Sequence, residues 1–326
     1  MSTADGRIVR TVKVLDNGPA EVRWNLVVMG DGYREAELPA FAEHAQSIAD
    51  KLIATPPFDR LKSGINVFRV DVASTDSGAD DPTTCGGSGI VAHTYLDASF
   101  CHGGIERALQ VDVGTALQVA GQSVPQYAMV MVMVNTQTYG GTGGQVAVFS
   151  LAAQADEIAL HEMGHTAFGL ADEYGLWAGC GVDTDHDQHQ PVEPAYPNVT
   201  TDSNALTIKW RDLLTTQQIP TTRNADCTKC DPQPSPVALG TVGAFEGAHY
   251  YHCGAYRPEF NCRMRQLGQP YCAVCQKRIL DTIAPHVPPR PPDPPRPQPK
   301  PPSRLGCLPT LLLAPMFYGL RAHFEN

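Results

Sequence analysis

The segment HEMGH at residues 161–165 holds the side chains best suited to metal chemistry in this sequence. Residues 152–168 contain no proline and a single glycine, and their composition favours a helix. Positions four apart lie on one face of a helix, so His161 and His165 can bind one ion together. Glu162 is placed to reach a water molecule on that ion rather than the ion itself.

Two neutral imidazoles and an open coordination position are what zinc hydrolysis requires. Zinc lowers the pKa of a bound water to about 7. A carboxylate such as Glu162 then takes the proton as the water attacks a carbonyl. The pattern predicts a zinc hydrolase with one catalytic Zn²⁺. The alternative, a surface helix with two solvated histidines, is disfavoured by the buried strand before the helix and by Gly169 after it.

A third protein ligand must come from beyond the helix. Asp172 and Glu173 follow His165 by seven and eight residues, after a turn that Gly169 permits. The extended metzincin pattern places its glycine three and its third ligand six residues after the second histidine, so this chain resembles that pattern with one residue inserted. We predict Asp172 as the third ligand, with Glu173 as the lesser alternative. Either could instead orient a ligand histidine.

The elements that position these residues alternate between strands and helices. Short apolar runs predict buried strands, and the most apolar of them is predicted to be central in its sheet. The predicted strands are 24–30, 65–72 and 127–135, and the predicted helices are 36–54, 104–120, 152–168 and 273–284. This alternation predicts an α/β (α+β) fold with a mixed sheet.

Composition changes along the chain predict three regions. A metallopeptidase domain is expected over 1–284, with an α/β part to about residue 175 and a loop-rich part over 176–284. A proline-rich linker of polyproline type follows at 285–304. The last region, 305–326, is a short apolar tail.

Overall composition limits the classes of partner. The chain has 326 residues and a formal charge of −10, which argues against binding nucleic acid. No run of about 18 apolar residues is present, so no spanning segment is expected. The N-terminus shows no visible signal peptide. Ten cysteines are nevertheless many for a reduced cytosolic enzyme.

The cysteines after residue 226 allow two interpretations. Two CxxC pairs could form a structural Cys₄ zinc site, namely Cys227, Cys230, Cys272 and Cys275. Disulfides within an even set of six are favoured instead, because the two pairs lie far apart in sequence. That set adds Cys253 and Cys262.

An acidic run invites comparison with a calcium loop. Asp183, Asp185 and Asp187 have the spacing of the first ligands of such a loop. Gln188 and Pro194 stand where a glycine and a glutamate are required. A solvated loop is therefore predicted, and Ca²⁺ binding is not favoured.

Several further segments extend the signature beyond the helix. They are HEMGHTAFGLADEY at 161–174, GDGY at 30–33, PPFDRLKSGINVFRVDVASTDSG at 56–78, VNTQTYGGTGG at 134–144, EPAYPNVT at 193–200, GAFEGAHYYHCGAYRPEFNCRMR at 243–265 and YCAVC at 271–275. On these segments the chain resembles the M64 metallopeptidases, the family that includes bacterial IgA-cleaving peptidases, over most of residues 20–284. The resemblance implies a metzincin-like fold, with a twisted mixed sheet, an active-site helix and a loop-rich C-terminal subdomain. The resemblance does not identify a substrate.

Residues far from the helix can also be given candidate roles. Met264 stands where a metzincin-like chain places a methionine turn beneath the metal. Tyr256 is predicted to stabilise the oxyanion, with Tyr174 as a competitor. Glu246 could line the cleft. An ordinary packing role is the alternative for each of them.

The sequence thus predicts a zinc endopeptidase that acts on polypeptides, with Glu162 as general base. Two alternatives stay open, a zinc amidase of a small or cell-wall substrate and a binding module with a structural metal. The compartment is also open, although the resemblance and the cysteines favour a secreted or extracellular protein. The oligomeric state is not predicted.

Overall fold

The first half of the chain builds a six-stranded mixed sheet in this computed structural model. Its strands are β1 (Gly6–Leu15), β2 (Trp24–Asp31), β3 (Ile65–Ser74), β4 (Met129–Val134), β5 (Gly141–Thr142) and β6 (Ala147–Ser150). In the order β1-β3-β2-β4-β6-β5, the inner strands are parallel to one another and both edge strands are antiparallel to their neighbours. The predicted mixed α/β architecture is confirmed.

The centre of the sheet is formed by the most apolar strand, as predicted. Every residue of β4 is buried, and β4 lies between β2 and β6. Both of its faces are covered, which is why its sequence is continuously apolar rather than alternating. Edge strand β1 was not predicted, because its residues are only half-buried and include Arg7, Arg10 and Lys13.

Helices cover both faces of the sheet. They are α1 (Leu38–Ala54), α2 (Phe58–Leu61), α3 (Val113–Ser123), α4 (Ala155–Phe168) and α5 (Ala273–Ile283). Helices α1, α2, α4 and α5 pack into one hydrophobic core, and α3 packs into the core on the other face. The helix predicted over 104–120 is wrong at its start. It begins only at Val113, because the carboxylate of Asp112 caps it by accepting a hydrogen bond from the Thr115 amide.

The second half of the chain is loop-rich, as predicted. A small sheet holds β7 (Thr221–Thr222), β8 (Ala244–Ala248) and β9 (Tyr251–Arg257), in that order. Strands β8 and β9 form an antiparallel pair. The loops around this pair and the start of α5 pack against α4, and they complete the surroundings of the histidine pair.

The structure describes residues 5–176, 185–229 and 234–289. Asp183 and three cysteines (Cys180, Cys230 and Cys307) lie outside the described residues, as do the predicted tail and most of the proline-rich linker. The contacts between Cα atoms group Met1–Pro288 into one unit. Among the described helices, none has both the length and the apolar composition needed to cross a membrane.

Candidate active site

The end of helix α4 is built to return the chain towards the HEMGH segment. Gly169 follows the helix in a left-handed backbone conformation with φ of 61°, which residues other than glycine rarely adopt. The Gly169 amide donates to the His165 carbonyl, and the Leu170 amide donates to the Gly164 carbonyl. This C-terminal cap reverses the chain and brings Asp172 back to the histidines.

Asp172 completes a triangle of three potential ligand atoms. Its Oδ1 lies 3.0 Å from Nε2 of His161 and 3.3 Å from Nε2 of His165. The two Nε2 atoms are 3.2 Å apart. Ligands about 2.0–2.1 Å from a tetrahedral zinc ion lie about 3.3 Å from one another, so one ion fits this triangle. The structure thus brings together the three residues that the sequence singled out as metal ligands.

Backbone carbonyls orient both imidazole rings. His161 Nδ1 lies 3.0 Å from the carbonyl oxygen of Arg263, and His165 Nδ1 lies 2.7 Å from that of Leu170. A carbonyl can only accept, so each Nδ1 donates, and each Nε2 presents its lone pair when the imidazole is neutral. Two lone pairs and the carboxylate of Asp172 therefore converge on one point, an arrangement that a divalent cation stabilises.

The electrostatics of the triangle also favour a positive charge. Burial disfavours charge on all three groups, but their mutual attraction outweighs it. Asp172 raises the pKa of His161, and it raises the pKa of His165 to about 9. The two histidines hold the pKa of Asp172 well below its usual value. Protons thus bind strongly here, and a metal ion would displace them.

Glu162 lies beside the triangle, under a glycine loop. Burial raises the pKa of its carboxyl group, which makes the carboxylate a better proton acceptor near neutral pH. A Cβ added to Gly141 would meet Glu162 Oε1 at 2.9 Å, and one added to Gly143 would meet His165 Cβ at 2.5 Å. Glycines let the backbone of this loop lie directly on both functional side chains. The YGGTGG segment at 139–144 therefore forms a wall of the site.

The triangle opens into a cavity of about 760 Å³. The residues that line it include Ile105, Glu106, Arg107, Gly141, Thr142, Gly143, Tyr174 and Tyr250, together with His161, Glu162, His165 and Asp172. The sequence did not indicate Arg107 or Tyr250. Arg107 lies in the irregular stretch before α3 that was predicted as helix, so no helical pattern could place it in the cavity.

Tyr250 fixes the second oxygen of Asp172. Its hydroxyl donates to Asp172 Oδ2 at 2.5 Å. The backbone carbonyl of Asp172 accepts from the amide of His249 at 3.0 Å. Because Oδ2 is occupied in this way, Oδ1 is the oxygen that faces the histidines.

Glu173, the lesser alternative for the third ligand, points away from the histidines. Its Oε1 accepts from Asn198 at 2.9 Å and lies close to the thiols of Cys272 and Cys275. Asn198 also exchanges two hydrogen bonds with the backbone of Ala171. The buried amide of Asn198 thus fixes the segment that carries both carboxylates.

Met264 packs directly against helix α4. It is fully buried, and a Cβ on Gly164 would meet its sulfur at 2.5 Å. The carbonyl of Met264 accepts from the amide of Glu173 at 2.7 Å. Met264 therefore supports the helix by side-chain packing and the segment after it by a backbone hydrogen bond. Neither contact uses its sulfur as a metal ligand.

Tyr256 and Glu246 are not brought to the cavity. The hydroxyl of buried Tyr256 hydrogen-bonds the guanidinium of Arg223. The carboxylate of Glu246 accepts from the backbone amides of Asn224 and Gly254 at 2.8 and 2.9 Å. Tyr256 lies on β9 and is not among the residues that line the cavity, whereas Tyr174 and Tyr250 are. The role predicted for Tyr256 is not supported by this position.

The cysteines follow neither predicted arrangement in full. Cys227 pairs with Cys253 and Cys85 with Cys101. The predicted Cys₄ site is therefore wrong for Cys227. Disulfide bonding is wrong for three cysteines of the favoured set, since these are buried free thiols: Cys262, Cys272 and Cys275. Sequence spacing could not show this, because the loops bring distant cysteines together.

The fold and the site together define an α+β protein with a candidate metal centre in an open cavity. The model of the family described as IgA Peptidase M64 matches residues 12–232 and 235–283. The match covers most of the chain, and the chain belongs to this peptidase family, as the resemblance implied. Membership indicates peptidase activity. No curated protein matches the chain.

Proposed function

We propose that this protein is a zinc endopeptidase in which His161, His165 and Asp172 hold the metal and Glu162 is the general base. The observation that carries the proposal is the triangle of ligand atoms 3.0–3.3 Å apart beside a buried glutamate, at the wall of an open cavity. Family membership supports the peptidase class.

The metal, when bound, would polarise the scissile carbonyl and acidify water. The chain supplies the remaining steps. Glu162 accepts a proton from the attacking water, and its raised pKa allows it to pass that proton to the leaving amine. The carbonyls of Arg263 and Leu170 keep both imidazoles in the tautomer that binds metal.

The cavity wall supplies groups for the substrate. Arg107 contributes a positive charge to the cavity lining, and Tyr174 contributes a phenol within hydrogen-bonding range of that guanidinium. Such donors stabilise the negative charge that develops on a carbonyl oxygen. We assign this role to Arg107 and Tyr174 together, in place of Tyr256.

The size and openness of the site favour a polypeptide over a small amide. A cavity of about 760 Å³ exceeds what a single amide bond with small substituents fills. Unstructured proteins should therefore be cleaved far faster than small amides or cell-wall fragments. Preferential hydrolysis of a small amide would instead establish the amidase alternative.

The decisive experiment replaces Glu162 by glutamine and measures cleavage of an unstructured protein such as casein. We expect zinc content to be unchanged and kcat/KM to fall by a factor of about 10³ or more, because glutamine keeps the size of the side chain but cannot accept the proton. Asp156→Asn is the matched control, since it makes the same acid-to-amide change on α4, where Asp156 pairs with Lys51. Full activity in Glu162→Gln would refute the mechanism.

A further inference from the structure

Four buried side chains form a second cluster of metal-ligand type behind the candidate active site. They are Glu173, Cys262, Cys272 and Cys275, and each is at most 1% exposed. One potential ligand atom from each lies within 4.8 Å of all the others. We propose that this cluster binds a second, structural zinc ion, with three thiolates and the carboxylate as its ligands. The site is separate from the triangle of His161, His165 and Asp172 and does not depend on it.

The distances within the cluster match tetrahedral zinc. The sulfur atoms of Cys262 and Cys275 are 3.8 Å apart. The Oε1 atom of Glu173 lies 3.5 Å from the sulfur of Cys272 and 3.3 Å from that of Cys275. Zinc binds sulfur at about 2.3 Å and carboxylate oxygen at about 2.0–2.2 Å, so tetrahedral ligands are about 3.8 Å apart for two sulfurs and about 3.5 Å for sulfur and oxygen.

Backbone amides are aimed at the sulfur atoms. Cys262 Sγ accepts from the amides of Met264 and Cys272 at 3.5 and 3.3 Å, and Cys272 Sγ accepts from the amide of Cys275 at 3.4 Å. Cys272 also caps α5, where the helix dipole favours a negative charge. Hydrogen bonds to sulfur and a helix start both stabilise thiolates, the form that binds metal.

The carboxylate of Glu173 is the feature that a cluster of thiols alone does not explain. Its Oε2 is buried and has no hydrogen-bond partner among the described residues. An uncompensated carboxylate in such a place is strongly disfavoured. A zinc ion beside Oε1 would compensate it. Arg257, itself buried, and Arg265 lie within electrostatic range and would offset the remaining negative charge once the three thiol protons are released.

The other described cysteines argue against an unused thiol cluster. Cys85–Cys101 and Cys227–Cys253 are disulfides, so the chain carries oxidised pairs. Three thiols in contact would be expected to oxidise under conditions that form those pairs. Binding to zinc protects them, and an odd number of thiols cannot be consumed by disulfides within the cluster.

The second ion would also hold the candidate active site in shape. Glu173 is the residue after Asp172, and its amide donates to the carbonyl of Met264. Arg263, next to Cys262, supplies the carbonyl that orients His161. A metal linking Glu173 to Cys262 would therefore fix the two loops on which the triangle depends.

The test counts metal in the full chain after the triangle has been disabled. We expect wild type to contain about two zinc ions per chain and the double variant His161→Ala/His165→Ala to contain about one. Replacing zinc by Co²⁺ in that double variant should give a sulfur-to-cobalt charge-transfer band in the near ultraviolet. Adding Cys272→Ser should remove both the ion and the band. The matched control is Cys85→Ser/Cys101→Ser in the otherwise wild-type chain, which should keep both zinc ions.

The outcomes separate this proposal from the peptidase mechanism. One zinc in wild type, retained in the double variant, would support the thiol site and overturn the triangle. No zinc and no charge-transfer band in the double variant would overturn the thiol site. If the double variant does not fold, metal-free wild type is titrated with Co²⁺. A charge-transfer band that saturates at one equivalent supports the proposal, and its absence refutes it.

Discussion

The two clusters of this molecule have similar spacings between their potential ligand atoms, but they differ in their exposure to solvent. The triangle of His161, His165 and Asp172 opens into a cavity, and its histidine side chains are 13% and 19% exposed. The cluster of Glu173 and three cysteines is sealed from solvent. An open position permits exchange of water and substrate, whereas a closed tetrahedral site permits neither. The comparison indicates different proposed roles for the two clusters, catalysis for the open one and structural support for the closed one.

Two consecutive carboxylates connect the clusters. Asp172 points to the histidines and Glu173 points to the thiols. Hydrogen bonds to Asn198 and Met264 fix the segment that carries both residues. Chemically similar side chains therefore have different surroundings because one backbone segment separates two environments. The sharpest tests of the comparison exchange these carboxylates for amides.

Asp172→Asn and Glu173→Gln should fail in different ways, and they carry the largest expected effects. Asp172→Asn is expected to lower kcat/KM by a factor of about 100 or more, with the midpoint of thermal unfolding almost unchanged, because a ligand in the open site is weakened. Glu173→Gln is expected to lower that midpoint by several degrees and to remove one metal ion. Calorimetry and casein cleavage on both variants measure this. Identical profiles for the two variants would show that the clusters are not distinct.

Tyr250→Phe should give an intermediate effect confined to the open site. Loss of the hydrogen bond to Asp172 Oδ2 leaves the carboxylate free to rotate, and we expect kcat/KM to fall by about 10- to 100-fold. Tyr251→Phe is the matched control, because it removes a neighbouring hydroxyl that does not line the cavity. Steady-state kinetics with metal analysis would show the effect. Equal losses in both variants would contradict the role of Tyr250.

A third carboxylate, that of Glu193 on the surface, is expected to give the smallest effect when it is replaced. It provides a reference for the effects at the two buried clusters. Burial disfavours the charge of Glu193, but Lys209 outweighs it and lowers the pKa of Glu193 to about 2. The folded pKa is below the usual value. The resulting stability is therefore present above a pH of about 4.5 and lost as the pH falls towards 2. Because the Glu193 side chain is 43% exposed and solvent screens the pair, Glu193→Gln should cost less than about 1 kcal/mol at pH 7. Urea unfolding at pH 7 and pH 3 should show the cost shrinking with acidification.

The sequence predicted the local parts of this arrangement. Helix α4 follows from composition, the buried central strand follows from a continuous apolar run, and the shared helix face of His161 and His165 follows from their spacing of four residues. The preference for Asp172 over Glu173 rested on spacing after Gly169. Asp172 lies beside the histidines and Glu173 does not, because the glycine cap determines where the chain returns.

The parts that could not be predicted depend on contacts between distant residues. Glu173 meets cysteines that lie about ninety to a hundred positions later in the chain. Arg107 and Tyr250 reach the cavity from loops that have no periodic pattern. Neither propensity nor spacing carries information about such meetings, so Tyr256 was preferred on local grounds alone.

The glycine loop over the site limits how this protein could be diversified. Any side chain at Gly143 would collide with His165, and one at Gly141 would press on Glu162. A library designed to alter which peptides are cleaved should therefore leave this wall untouched. The exposed stretch around Ile105 and Glu106 also lines the cavity, and its side chains are open to replacement. New specificities should arise from that stretch, while the glycine wall keeps the reaction centre constant.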